Sequence, residues 1–201
     1  MDAEPPVAIG VASDPGRQRT ENQDSLATPP PGLPPEELSQ KGMLCLVADG
    51  IGGHRAGKQA SELAARRVVE EYYRQPPGDV PGALRRAIRI ANAEVYRLAQ
   101  EPGYEKMGTT IVAAVLNGET VTVAHVGDSR AYLLSHDQVQ VLTRDHTWVT
   151  EQLDEGILTQ EQADIVASWP RRMGWLMGGL RDLKLLGNRR RFLHSATRLA
   201  L

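Results

Sequence analysis

The period of the apolar positions changes along this chain, and each change marks an element. "VAIGVASD" (Val7 to Asp14) alternates β-branched and small residues and predicts a strand. "TPPPGLPPEE" (Thr28 to Glu37) is too rich in proline for a ladder strand or a helix interior, so it predicts a surface loop. "MLCLVADG" (Met43 to Gly50) is a short continuous apolar run closed by a turn signal, as a strand buried on both faces would be. Two helices follow. The first repeats Ala60, Leu63, Ala64 and Val68 on one face; the second repeats Leu84, Ala87, Ile88, Ala91, Val95 and Leu98 at three-and-four spacing. "TTIVAAVL", "TVTVAHV", "RAYLL" and "VQVLT" then read as four strands, with Asn117-Gly118 predicting a type I′ hairpin between the first two. "DHTWVTEQLDEGILTQEQADIV" returns to a helical period, interrupted at Gly156. Strands, a helix pair, antiparallel strands and further helices define an α+β layered sandwich rather than an alternating βαβ chain.

Composition narrows the class. At 201 residues, 41% hydrophobic and 24% charged, the chain suits one soluble domain with a sizeable core. A formal net charge of -2 gives no global field for nucleic acid. One cysteine excludes an internal disulfide and fits a reducing compartment. The acidic start "MDAEPPVAIG" lacks the basic and apolar regions of a signal peptide, and no apolar run has the length of a membrane span. The expectation is a cytoplasmic protein with neither nucleic-acid nor membrane partners. Its oligomeric state is left open.

Chemistry concentrates in "CLVADGIGGHRAGKQAS", Cys45 to Ser61, which carries two incompatible signals. From Gly52, "GGHRAGK" has the spacing of a phosphate-cradling P-loop, but Lys58 is followed by Gln59 where Mg²⁺ binding needs Ser or Thr. This nucleotide-binding reading predicts ATP binding sensitive to Lys58→Ala. From Asp49, the stretch is instead an acidic strand end followed by glycines. Asp24 in "RTENQDS" and Asp128 in "AHVGDSRAYLL" have similar settings, so several carboxylates could converge at one sheet rim. Carboxylate and carbonyl oxygens suit Mg²⁺ or Mn²⁺.

Together "RTENQDS", "VADGIGGH", "MGTTIVAAVL", "VGDSRAYLL" and "LTRDHTWV" occur in an order and spacing that resembles the bacterial metal-dependent protein phosphatases of type 2C, over about residues 7 to 160. The resemblance implies a four-layer α-β-β-α sandwich and hydrolysis of phosphoserine and phosphothreonine in protein substrates. It implies that Asp49 bridges two Mn²⁺ or Mg²⁺ ions, that the Gly50 carbonyl binds one of them, and that Asp24 acts directly or through water. Asp128 resembles a ligand to a third, looser ion. Arg19 matches the arginine that grips the substrate phosphate, for which a planar fork of donors is apt. Water activated by the ions would attack phosphorus in line, without a phospho-enzyme. His54 is a candidate proton carrier standing behind the ligands, by residue type. Cys45, in an apolar strand, is expected to be a core thiol and no nucleophile.

The chain also departs from the family. Gln23 stands where Glu is usual, and the late Asp-Gly and Asp-Asn motifs that supply metal ligands do not occur. From Arg171 to Leu201 there are eight Arg or Lys and a single acid, Asp182, and "NRRRFLHSATRLAL" does not read as a strand of this fold. The expected division is therefore 1–168, the N-terminal portion of a phosphatase 2C-like domain incomplete at its C-terminus, and 169–201, a divergent basic tail. Weaker metal binding and impaired activity follow. The rival is a non-catalytic remnant that binds phosphoproteins through Arg19 without turning them over.

Overall fold

The computed structural model describes residues 7–17, 21–52, 54–104, 106–135, 138–162, 185–186 and 197–200. Its elements, in order, are β1 (Asp24–Ala27), α1 (Pro35–Lys41), β2 (Met43–Ile51), α2 (His54–Arg74), α3 (Val80–Leu98), β3 (Gly108–Thr109), β4 (Ile111–Asn117), β5 (Thr120–Val126), β6 (Tyr132–Ser135), β7 (Gln138–Val141), α4 (Trp148–Asp154), β8 (Leu185–Leu186) and β9 (Thr197–Ala200). The larger sheet has the order β1-β2-β4-β5-β8, with β3 also paired to β2; the smaller has the order β7-β6-β9. All the pairings are antiparallel. The architecture is α+β.

β2 shows how the sequence builds the layers. Its residues alternate between half-buried and fully buried along all nine positions. Leu44, Leu46 and Ala48 join Val68, Tyr72, Leu84, Ile88 and Ala91 of the two long helices in the main core. The opposite face of the same sheet carries Val112, Ala114 and Val123, packed with Val47, Val121, Ala131 and Leu142 in a second apolar cluster. Ala131 and Leu142 flank the β6–β7 hairpin and are joined by a 2.8 Å backbone hydrogen bond. The second cluster therefore connects the two sheets. Asp79 starts α3 by accepting the Gly82 N–H at 2.9 Å, satisfying one of the donors exposed at a helix start. Arg67 of α2 reaches Glu94 of α3 at 2.6 Å, and the Tyr73 hydroxyl donates to the Gly42 carbonyl while accepting the Leu44 N–H, both at 3.1 Å. These contacts fasten the helix pair to the start of β2.

Five expectations change. Val7 to Asp14 forms no strand; Val7, Ile9 and Val11 are exposed and pair with no strand among the described residues. Alternation gives a strand only where a partner supplies the ladder. The proline-dense loop ends at Pro34, because Pro35 begins α1, with Glu36 and Glu37 in its first turn. Proline lacks only an N–H that a first turn leaves unused, and acids suit that helix end. The β4–β5 hairpin pairs Asn117 with Thr120, so its central residues are Gly118 and Glu119. Only Gly118 has positive φ (55°), which gives the type II′ pattern instead of I′. β1 was not expected as a strand at all. Finally, Thr197–Ala200 is a strand, paired with β6 from Tyr132↔Ala200 to Ser135↔Thr197. Its Thr-Arg-Leu-Ala run is short, and the surrounding arginines hide it in the sequence.

Candidate metal centre

The rim of the larger sheet brings two of the expected carboxylates together. β1 and β2 pair so that Asp24 stands directly opposite Asp49, followed by Ser25↔Ala48 and Leu26↔Val47. Residues opposite each other in an antiparallel pair share a face. Ser25 bonds to Ser61 of α2 and therefore lies on the helix side, as Ala48 does. Asp24 and Asp49 consequently lie on the face toward the second sheet, where Val47 packs. Both are half-buried. Two like charges placed opposite one another destabilise a strand pair unless a cation joins them.

Asp49 is held through its backbone at both ends. Its N–H donates to Thr110 Oγ1 at 3.1 Å, and its carbonyl accepts from the Thr110 N–H at 2.9 Å and from Thr109 Oγ1 at 3.0 Å. The "GTT" stretch thus fixes the residue while leaving its carboxylate outside this set of bonds. The Gly50 N–H donates to the Gln23 carbonyl at 3.2 Å. A Cβ on Gly50 would stand 2.0 Å from the Gly57 carbonyl oxygen and 2.8 Å from that of Gln23, so strand tip and helix start meet backbone to backbone.

Asp128 lies in the turn after β5. Three contacts hold that turn: Ser129 Oγ and Thr110 Oγ1 are 2.6 Å apart, the His146 N–H donates to the Gly127 carbonyl at 3.0 Å, and Arg130 forms a fork with Asp145 at 2.7 and 2.6 Å. The His146 ring stacks on His125 with centroids 4.3 Å apart, and buried His125 donates from Nε2 to the Arg144 carbonyl at 2.7 Å. "RDH" (Arg144 to His146) therefore braces the Asp128 turn. Sequence reading assigned these residues no such task, although Arg130 and Asp145 both fall inside quoted motifs. Thr110 links the Asp49 strand to the Asp128 turn, but the described residues contain no set of three or more His, Cys, Asp or Glu placed to hold one metal ion. The structure brings together the pair Asp24–Asp49, with Gly50 beside it.

Arg19 lies outside the described residues. His54 is the first residue of α2. That boundary overturns the P-loop reading: the helix begins four residues before Lys58, so Lys58 lies inside α2 and not at a helix start reached through a phosphate-wrapping loop. Lys58 Nζ instead donates to the Asp24 carbonyl at 2.9 Å and to Ser25 Oγ at 3.3 Å. Cys45 is half-buried on β2, and burial pushes its thiol up from the ordinary value. A raised pKa means less thiolate at a given pH. At pH 8 Cys45 should therefore react with a disulfide reagent several-fold more slowly than free cysteine, and Cys45→Ala should leave any phosphate release unchanged. Absorbance of the released thiolate measures the first expectation.

An acidic strand-tip pair on an α+β sandwich is the class of site that fold and geometry define. The protein phosphatase 2C family model matches residues 12–153, and the chain belongs to that family. It is 35% identical over 158 residues to the serine/threonine protein phosphatase PstP of Mycobacterium tuberculosis, covering 78% of this chain and 28% of that protein. Among solved structures, the S. agalactiae serine/threonine phosphatase superposes with a TM-score of 0.72 at 29% identity, over 94% of this chain and 75% of that one. The catalytic domain of PstP in complex with 2 manganese ions gives a TM-score of 0.59 at 35% identity, over 76% of this chain and 61% of that one. The chain thus spans less than two thirds of PstP's length.

Proposed function

We propose that this chain is a metal-dependent protein serine/threonine phosphatase. The observation that carries the reading is the facing pair Asp24–Asp49 in a chain of the protein phosphatase 2C family. Paired half-buried carboxylates with a backbone carbonyl beside them are a hard-oxygen donor set, which fits Mn²⁺ or Mg²⁺. The manganese-bound PstP domain supports the same ions here. Asp24, Asp49 and the Gly50 carbonyl would hold two ions, and Asp128, on its braced turn, would approach a third. Bound ions supply water activation and charge neutralisation for phosphoryl transfer. Asp49, clamped at its N–H and carbonyl, keeps its carboxylate oriented. Arg19 orients the phosphate through its fork of donors.

In the same reading the ions bind loosely, because two facing carboxylates hold a divalent ion less tightly than a fuller donor set. Substrates are proteins phosphorylated on serine or threonine, and the setting is cytoplasmic signal transduction without nucleic-acid or membrane partners. No helix among the described residues is long and apolar enough to cross a membrane. The lack of a three-group metal cluster among the described residues favours a second reading, a non-catalytic phosphoprotein-binding module.

Titrating Mn²⁺ into the purified chain with a phosphothreonine peptide separates the two. The phosphatase reading expects inorganic phosphate to appear and to keep rising into millimolar Mn²⁺. Retention of the peptide with no phosphate at any Mn²⁺ concentration would contradict it and favour the binding module.

A further inference from the structure

Lys58, which closes the stretch whose spacing imitates a phosphate cradle, has no part in the chemistry above. We propose that Lys58, assisted by Ser61, is a positioning residue that holds Asp24 opposite Asp49. This deepens the phosphatase reading and rests on it. β1 is only four residues long and, among the described residues, pairs on one side alone, with β2. A ladder that short is weakly ordered by itself. The backbone carrying Asp24 is held instead from α2. Ser61, fully buried, donates to the Gln23 carbonyl at 2.6 Å and lies 2.9 Å from Ser25 Oγ. Lys58 donates to the Asp24 carbonyl itself. Three consecutive residues of β1 and its approach are thereby fixed by two side chains one helical turn apart.

The anchor of this clamp is rigid. Gly50 and Gly57 meet backbone to backbone, so α2 has a fixed distance from the strand tips, and Lys58 follows Gly57 directly. Ammonium donors make stronger hydrogen bonds than neutral ones. The carboxylate partner of Lys58 is Glu62, at 3.5 Å, on its own helix. Asp24 faces the second sheet, away from α2, so Lys58 restrains the residue through its carbonyl and leaves the carboxylate for a cation.

The clamp can be told from simple electrostatics by the sign of one effect. Lys58 is a cation near a proposed cation site, so Coulomb repulsion alone predicts that removing its charge tightens Mn²⁺ binding. Positioning predicts the opposite. Groups that orient metal ligands typically change affinity by about 10- to 100-fold when removed.

Mn²⁺ titration followed by electron paramagnetic resonance, on the whole chain, provides the test. Lys58→Met should raise the Mn²⁺ dissociation constant about tenfold, Lys58→Arg should recover part of the loss, and Glu62→Gln should stay within about twofold of the parent. Ser61→Ala carries the same expectation as Lys58→Met should that variant fail to fold. Unchanged or tighter binding in Lys58→Met, with the parent binding Mn²⁺ normally, overturns the clamp and leaves the phosphatase reading standing. A parent chain that binds no Mn²⁺ overturns both.

Discussion

Asp49→Asn is expected to reduce Mn²⁺-dependent phosphate release by about 10³-fold, to the level of the metal-free background, while the chain stays folded. Activity falls because bound cations contribute several kcal/mol to phosphoryl transfer, and about 4 kcal/mol corresponds to three orders of magnitude. Asparagine keeps the size of the side chain, so the register of Asp24 opposite residue 49 is retained. The bonds from Thr109 and Thr110 go to the backbone of residue 49 and persist in the variant. Phosphate assays and metal-free thermal melting check the two halves separately. Loss of activity accompanied by a lower melting temperature would point to a damaged fold instead of a missing ligand.

Gly50→Ala should destabilise the chain by about 3 kcal/mol, which for its size lowers the melting temperature by about 6–12 °C. The added methyl would stand 2.0 Å from the Gly57 carbonyl oxygen, 2.5 Å from its carbon and 2.8 Å from the Gln23 carbonyl oxygen. All three are backbone atoms, of a strand approach and a helix turn, and none can swing aside as a flexible side chain would. Gly108→Ala is the natural comparison, since a Cβ there meets nothing within 4 Å. Circular dichroism melts of the two variants should differ by most of the predicted shift. Equal melting temperatures would show that strand tip and helix start are not in the close contact described. Because Gly50 sits beside the facing carboxylates, its variant should also bind Mn²⁺ more weakly than Gly108→Ala does.

The elements that the sequence revealed are those in which many residues repeat one period. α3 announces itself through Leu84, Ala87, Ile88, Ala91 and Val95, all of them buried, and β2 through an unbroken apolar run. β1 could not be read that way: "DSLA" is four residues with two polar ones, ordered by partners distant in sequence. Val7 to Asp14 fails in the opposite sense, having a strand's pattern but no partner strand among the described residues. The hairpin between β4 and β5 was located correctly but shifted by one residue, since register along β4 and β5 decides which residues occupy the turn. At the site, Asp24, Asp49 and Asp128 stood out as acids beside glycine or strand ends. The groups that hold them did not, because Thr110, Lys58 and Ser61 act through backbone atoms, and a side chain that bonds a distant carbonyl leaves no period or spacing to find. Lys58 even pointed the wrong way, toward a nucleotide, until the start of α2 at His54 made its loop a helix.

The most direct test of the account is Mn²⁺ binding by the whole chain, measured by calorimetry for the parent, Asp24→Asn, Asp49→Asn and the double variant. Binding is expected in the parent, with competition by Mg²⁺, clear weakening in each single variant and none left in the double. Binding that survives loss of both carboxylates, or a parent that takes up no Mn²⁺, would contradict it.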